Sequence, residues 1–187
     1  DGHFETERGR RSARLRIAPA SAFVGGLHAG PDEIQGAIVT LAGDLLSHVR
    51  LAEVHGTDTL AERSRKALLQ AGERAGVPIE RLRAVGIGLD GCPSEGMIRV
   101  VTDLGESLGL PIRAEGDVEA AAIGLHWFMP EPSRTVLFVH VGDRIRSSLV
   151  AGDHPLRGGA EMGLGQVFAG DREGMRLQDL ASRGAIC

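Results

Sequence analysis

The chain has 187 residues, which is enough for one substantial hydrophobic core or two small ones. Hydrophobic residues make up 42% of the sequence and charged residues 25%, an ordinary balance that argues against a disordered chain. No apolar run approaches the roughly 20 residues that a membrane helix needs, and the charged N-terminus does not resemble a secretion signal, so we expect a cytoplasmic protein with no membrane partner. The formal net charge of −4 gives no reason to expect the chain as a whole to bind nucleic acid.

The first segment, residues 1–19, differs from the rest in its charge. It contains five arginines close together: Arg8, Arg10, Arg11, Arg14 and Arg16. Leu15 and Ile17 alternate with the last two of these arginines, which is typical of a strand. Composition alone is also compatible with a solvated basic arm, a common feature of proteins of any class.

Alternating apolar residues predict three antiparallel strands after this segment, over residues 22–28, 33–41 and 44–54. A helix is predicted from about Thr57 to Ala75, because apolar residues recur on one of its faces, and Gly76 is its expected terminator. Residues 83–89 are predicted to form a buried strand, and residues 104–108 a short helix.

Residues 109–128 are predicted to form a short strand, a tight turn at Gly116 and a helix. Asp117 is expected to be the N-cap of this helix, where its side chain would accept a hydrogen bond from the next helical turn. The helix is rich in alanine, so its backbone can approach a neighbouring layer closely. Trp127 and Phe128 are expected to pack as large apolar side chains at the end of this helix.

Beyond a proline-containing break at residues 130–132, a second apolar hairpin is predicted over residues 135–141 and 145–150. A third strand is predicted over residues 166–168 and a helix over residues 176–182. His140, inside the hairpin, is expected to be a buried and satisfied core histidine and not a catalyst. One hairpin and one helix make a thin unit, which indicates that the second half of the architecture is incomplete.

The stretch around Asp117 resembles the ROK family, which comprises bacterial sugar kinases and sugar-responsive transcriptional regulators. The residues that match the family's pattern are Glu115, Asp117, Ala120, Ala121, Ala122 and Gly124. Gly116 and Glu119 replace two asparagines of that pattern. The resemblance implies an α/β protein with the actin-like ATPase, or ribonuclease H-like, fold. Residues 20–130 would form the first lobe and residues 131–187 the start of a second, incomplete lobe.

In a ROK kinase, Asp117 would be the base that accepts the proton of the sugar hydroxyl attacking ATP. Because the neighbouring asparagine is replaced, we interpret Asp117 as a helix cap and a ligand contact, and we expect no catalytic residue. The first phosphate loop has also changed. His28 stands where the family has the aspartate that organises magnesium, Pro31 removes an amide donor, and Asp32 adds a charge that repels phosphate.

The second phosphate loop has lost three glycines, which are replaced by Arg144, Arg146 and Ser148. These side chains are expected to fill space that a nucleotide would need, and Asp143 is a candidate partner for one of the arginines. The resemblance therefore implies a protein without kinase activity and without a nucleotide cofactor.

The sugar and zinc signatures of the family are only partly retained. Glu161 matches the glutamate that contacts sugar hydroxyls, so Glu161 and Asp117 are the expected ligand-binding residues. Leu164 replaces the histidine that ligates zinc, and Cys92 and Cys187 belong to no metal-ligand spacing, so no metal is expected.

The lead-in before the first strand resembles the junction between a winged helix-turn-helix and the core of ROK regulators. Residues 1–19 would then be the linker from an absent N-terminal DNA-binding domain, and the expected DNA contacts in it are Arg8, Arg10 and Arg11. The resemblance implies an effector-sensing and oligomerisation domain that binds a sugar or sugar derivative and forms a homo-dimer or tetramer. The alternatives are a glucokinase-like ROK sugar kinase and a catalytically dead scaffold.

Overall fold

A computed structural model describes residues 18–30, 33–52, 59–91, 95–129, 135–152, 154–156, 174–182 and 184. The strands in these ranges are β1 (Phe23–Ala29), β2 (Glu33–Thr40), β3 (Leu45–Ala52), β4 (Leu82–Leu89), β5 (Ile112–Gly116), β6 (Thr135–Val141), β7 (Ile145–Ala151) and β8 (His154–Leu156). The α-helices are α1 (Leu60–Ala75), α2 (Glu95–Leu108), α3 (Asp117–Phe128) and α4 (Leu177–Ala181). Within the described ranges, no helix is both long enough and apolar enough to cross a membrane.

The first sheet has the strand order β3-β2-β1-β4-β5. β1, β2 and β3 are antiparallel neighbours, whereas β4 is parallel to β1 and β5 is parallel to β4. Ala29 therefore pairs with Leu89, and Leu89 pairs with Gly116, at the carboxyl ends of the three parallel strands. Side chains that follow these three ends share one edge of the sheet, which is where ligands bind in open α/β sheets.

The hydrophobic core lies between this sheet and α1, and α2 packs beside α1. Thr59 and Glu62 form a capping box at the start of α1, and Gly76 ends the helix in the left-handed conformation. The helix approaches β2 so closely that a Cβ at Gly36 would lie 2.6 Å from the carbonyl oxygen of Ala67. Gly36 is thus required by the close contact between β2 and α1.

The predicted order of elements up to α3 is confirmed, with shifts of a few residues at their ends. The helix expected from Thr57 begins at Leu60, because the Thr59 capping box fixes its start. The short helix expected over residues 104–108 was wrong in length, since α2 has 14 residues. Its additional turns are held by Met97 and Val101, which pack against the core together with Leu104.

The second sheet has the order β6-β7-β8, with antiparallel neighbours throughout. The predicted hairpin is confirmed as β6 and β7, while the strand expected over residues 166–168 lies outside the described residues. α3 packs against β4 and also against β6 and β7, so it lies between the two sheets. Two expectations here were wrong. His140 is exposed because it lies on an edge strand, and Trp127 and Phe128 remain 60% and 61% exposed at the end of α3.

Candidate functional site

Asp117 is the first residue of α3 and not its N-cap. The cap position is held by Gly116, which makes no side-chain capping bond, so the expected capping role of Asp117 was wrong. Asp117 Oδ1 instead accepts a hydrogen bond of 2.8 Å from the Val118 amide. A carboxylate in the first turn is favoured by the positive end of the helix dipole. β4 touches this point of the helix, since a Cβ at Gly88 would lie 3.4 Å from Asp117 Cα.

The Arg146 side chain reaches Asp117 from β7, across the boundary between the two sheets. Its Nη1 atom lies 2.7 Å from Asp117 Oδ1, and its Nη2 atom lies 2.8 Å from Asp117 Oδ2. This is the bidentate geometry that a guanidinium adopts with a carboxylate. The pair is largely shielded from solvent, because the side chains of Arg146 and Asp117 are 8% and 16% exposed. The partners of Arg146 are therefore Asp117 and a second carboxylate, and not the Asp143 of its own loop.

Asp90 is a third member of the cluster. It directly follows β4, and its Oδ1 atom lies 2.9 Å from Arg146 Nη2. The Asp90 side chain is 37% exposed, so it is better solvated than Asp117. Sequence reasoning missed this residue. The signal that could have found it is its position at the end of a strand parallel to the one that leads into Asp117.

His28 approaches Asp117 from β1. Its Nε2 atom lies 3.8 Å from Asp117 Oδ2, which is longer than a hydrogen bond. Partial burial by itself would raise the pKa of Asp117. The nearby His28 imidazole, the charge of Arg146 and the amide of Val118 oppose that effect, and together they hold the pKa of Asp117 below the usual range of an aspartate. Asp117 is therefore ionised over the whole physiological pH range.

The two positions that replace the family's asparagines are also close in space. A Cβ at Gly116 would overlap the carboxylate of Glu119, and it would lie 3.2 Å from the carbonyl oxygen of Gly91. The Glu119 side chain thus occupies the space into which an asparagine at position 116 would extend. The two replacements fit each other sterically.

The structure brings together His28, Asp117 and Arg146, which lie far apart in the sequence. Asp143 and Arg144 are exposed in the turn between β6 and β7. Several predicted residues lie outside the described ranges: Arg8, Arg10, Arg11, Pro31, Asp32, Glu161 and Leu164. Across the ranges that are described, no group of three or more His, Cys, Asp or Glu side chains is arranged to hold a metal ion.

The cluster has a clear chemical consequence for Asp117. A general base needs a free oxygen that can meet the substrate proton, and it works best when its pKa is near the operating pH. Both oxygens of Asp117 accept short bonds from Arg146, and its pKa is lowered. In this arrangement the carboxylate acts as an ion-pair partner and a hydrogen-bond acceptor.

No protein-family model and no curated protein matches the sequence. Solved structures do match. A ROK hexokinase from Thermus thermophilus is 28% identical with a TM-score of 0.71, over 88% of this chain and 61% of the hexokinase. A ROK family glucokinase from Streptomyces griseus, solved with glucose and AMPPNP, is 21% identical with a TM-score of 0.68, over 88% of this chain and 59% of the glucokinase.

A ROK family transcriptional regulator, a homolog of the E. coli MLC protein, is 17% identical with a TM-score of 0.71, over 90% of this chain and 48% of the regulator. The chain thus spans less than two thirds of the length of each of these three proteins. The resemblance predicted from the sequence is confirmed: the chain has the actin-like fold of the ROK proteins, and its structural neighbours are ROK sugar kinases and a ROK transcriptional regulator.

Proposed function

We propose that this chain is the effector-sensing and oligomerisation domain of a ROK-type transcriptional regulator, and that it has no kinase activity. In this proposal residues 1–19 link an N-terminal winged helix-turn-helix to a first lobe over residues 20–130, and residues 131–187 begin a second lobe. The protein acts in the cytoplasm as a homo-dimer or tetramer, and it binds DNA through the upstream domain.

The observation that carries the proposal is the position of the Arg146 guanidinium on Asp117. An arginine in the second phosphate loop of the family pattern supplies both hydrogen bonds to the residue that would be the catalytic base. The same arginine fills buried space, since the residue is 7% exposed. A kinase needs that carboxylate free for a hydroxyl proton and that loop free for phosphate. A sensor needs neither, because it only has to bind its ligand better in one state than in the other.

Ser148, another residue that replaces a glycine of the second phosphate loop, supports the same interpretation. It lies two residues after Arg146 on β7 and is 2% exposed, so its side chain fills a buried position where the family has a glycine. The MLC homolog also gives a precedent for a regulator with this fold, although at 17% identity the likeness concerns the fold alone. The 28% identity to a hexokinase favours the rival proposal, a glucokinase-like sugar kinase.

The expected ligand is a sugar or sugar derivative that contacts Asp117 and Glu161. The glucokinase neighbour was solved with glucose, which supplies a first candidate to test. The expected DNA contacts in the linker are Arg8, Arg10 and Arg11, which would add salt-dependent contacts to phosphates beside the base contacts of the upstream domain.

The test uses the full-length gene product and has two readouts. The first is sugar-dependent ADP release with a panel of hexoses, for which we expect no signal above the sugar-free control. The second is binding to genomic DNA fragments, for which we expect a specific target. Replacing Arg10 and Arg11 together by alanine should weaken that binding and reduce its logarithmic salt slope by about one unit per lost contact, with thermal stability unchanged. Hexose phosphorylation would show that the protein is a ROK sugar kinase instead. A protein that neither phosphorylates hexoses nor binds specific DNA would support the third alternative, a catalytically dead scaffold.

A further inference from the structure

Arg146 is shared unequally between two carboxylates. Its Nη2 atom bonds both Asp117, at 2.8 Å, and Asp90, at 2.9 Å, whereas its Nη1 atom bonds Asp117 alone. The guanidinium therefore lies at a branch point, with one acceptor on α3 and one at the end of β4. A small rotation of the side chain would transfer it from Asp117 to Asp90 without leaving its charge unpaired.

The guanidinium of Arg146 is not fully hydrogen-bonded in this position by the residues that the structure describes. Its Nε atom is buried and has no hydrogen-bond partner among the described residues. A buried donor without a partner loses its hydration and gains nothing in return. The pairing with Asp117 thus leaves one donor of the guanidinium unused, while Asp90 already lies 2.9 Å from Nη2 as an alternative acceptor.

The two carboxylates differ in how much they need the arginine. Asp117 is 16% exposed and Asp90 is 37% exposed, so water stabilises the charge of Asp90 more effectively. Removing Arg146 from Asp117 is therefore unfavourable unless another donor replaces it. A ligand that displaces Arg146 must replace the two hydrogen bonds that the guanidinium donates, one to each carboxylate oxygen, while the Val118 amide keeps its bond to Oδ1.

We infer that Arg146 is a built-in competitor for the ligand of Asp117. A ligand with two adjacent hydroxyl groups donates to Asp117 Oδ1 and Oδ2 in place of the guanidinium, and Arg146 shifts onto Asp90. The hydrogen bonds balance, because two O–H donors replace two N–H donors and the arginine keeps a carboxylate partner. The ligand class is a neutral polyol with a vicinal diol. This inference rests on the proposed function, since it concerns the effector of the same site.

The competition between Arg146 and the ligand couples ligand binding to the contacts between the two sheets. In the ligand-free state, Arg146 connects β7 to the start of α3 and to the end of β4. When the ligand takes Asp117, the connection to α3 is broken and the connection to β4 remains. Ligand binding would thereby release α3 from β7 at the end that carries the site, which is a differential contact of the kind an effector needs.

The experiment measures sugar affinity by calorimetry with the full chain and four variants. The probes are D-glucose, D-mannose and sucrose, each with adjacent hydroxyl groups. Arg146→Ala should bind at least one probe about tenfold more tightly than the natural sequence, because the competitor is gone. Asp90→Asn should bind more weakly than the natural sequence, because Arg146 then has no second carboxylate. Arg113→Ala, which removes an exposed arginine on β5, is the matched control and should bind as the natural sequence does.

Arg146→Lys is a second variant that tests the inference if Arg146→Ala does not fold. A lysine keeps the positive charge but cannot form the bidentate pair, so its sugar affinity should also exceed that of the natural sequence. If Arg146→Ala does not give a cooperative thermal transition, Arg146→Lys decides the matter. An affinity that is unchanged or weaker in the folded variant overturns the inference, as does a folded Arg146→Ala that binds none of the probes. Kinase activity would refute the proposed function without altering this order of affinities, so the two failures are distinguishable.

Discussion

Arg146 stabilises the ionised form of Asp117 at a position where an unpaired carboxylate would be unfavourable. The two side chains are 8% and 16% exposed, so each has lost most of its hydration. Their mutual attraction and the two short hydrogen bonds offset that loss. For such pairs, removing one partner destabilises the fold far more than the intact pair stabilises it, because the remaining charge is left buried. The cluster therefore couples the site to the stability of the fold.

The lowered pKa of Asp117 makes this coupling depend on pH. A carboxyl group with a depressed pKa in the folded state contributes stability that is fully present above its unfolded pKa of about 3.9. That contribution is lost as the pH falls through the folded pKa, which for Asp117 lies below the usual value. Acidification below about pH 4 should thus remove the contribution of this pair.

Replacing Asp117 by asparagine tests this expectation. At neutral pH we expect the free energy of unfolding to fall by about 2 kcal/mol, because Arg146 loses its bidentate partner and keeps only the more exposed Asp90. Below about pH 4 the difference from the natural sequence should shrink, since protonation removes the same charge there. Urea unfolding followed by circular dichroism, from neutral pH down to about pH 2, measures both effects. Asp103→Asn, on the exposed side of α2, is the matched control. A difference that stays constant across this range would show that Asp117 contributes no pH-dependent stability.

The residues of the site were predictable only in part. The family pattern around Asp117 pointed to the carboxylate that Arg146 binds in the structure, and the altered phosphate loops pointed to His28 and Arg146. The pairing of Arg146 with Asp117 was not predictable, because the two residues are 29 positions apart and meet only when β7 packs against α3. Sequence reasoning offered only the adjacent Asp143 as a candidate partner for one of the loop arginines, and sequence distance is a poor guide to contacts between sheets.

At the scale of elements, the contact between β2 and α1 depends on the absence of a side chain. Gly36 lies against the backbone of α1, where a Cβ would fall 2.6 Å from the Ala67 carbonyl oxygen and 3.1 Å from the Ala67 Cβ. Backbone atoms of a packed helix cannot move aside as the end of a flexible side chain can. The helix would have to shift away from the sheet as a whole.

Gly36→Ala should consequently destabilise the protein by about 2 kcal/mol, which is a typical value for overpacking. Gly86→Ala is a control with the same chemical change, since nothing lies within 4 Å of a Cβ at that position of β4. We expect the control to change the free energy of unfolding by less than about 0.5 kcal/mol. Thermal unfolding followed by calorimetry measures both variants. Equal stabilities of the two variants would mean that α1 does not approach β2 as closely as the structure places it.

Periodicity predicted the elements of the first sheet because each has a distinct pattern. β2 alternates between half-buried and buried residues over its whole length, which is the pattern of a strand with one face on a core. α2 was predicted too short, although the apolar residues of its first half, among them Met97, Val100 and Val101, fit a helix as well as its last turns do. Val101 and Met97 lie one and two turns before Leu104 on the same face, and they are only partly buried against the core.

At the scale of the molecule, the two sheets contribute unequally to the core. The main cluster of buried apolar residues comes from the first sheet, the helices on it and the connection between α1 and β4. In the second sheet, the buried apolar residues among those described are Ile145 and Val150, both on β7. The outward residues of β6 remain exposed, with Leu137 at 59% and Val141 at 56%. The site thus joins a well-packed sheet to a thinly packed one.

This asymmetry predicts an order of local opening that hydrogen exchange can measure. The amides of β4 are central in the first sheet, where Val85 and Leu89 are each 1% exposed, so they should exchange only through near-global unfolding. Among the described strands β6 lies at the edge of its sheet and its side chains are largely exposed, so its amides should exchange at least about tenfold faster through local opening. Mass spectrometry of peptic peptides covering residues 82–89 and 135–141 compares the two strands in one sample. Equal protection of both peptides would show that β6 does not open before the core does, although β7 is its only neighbour among the described strands.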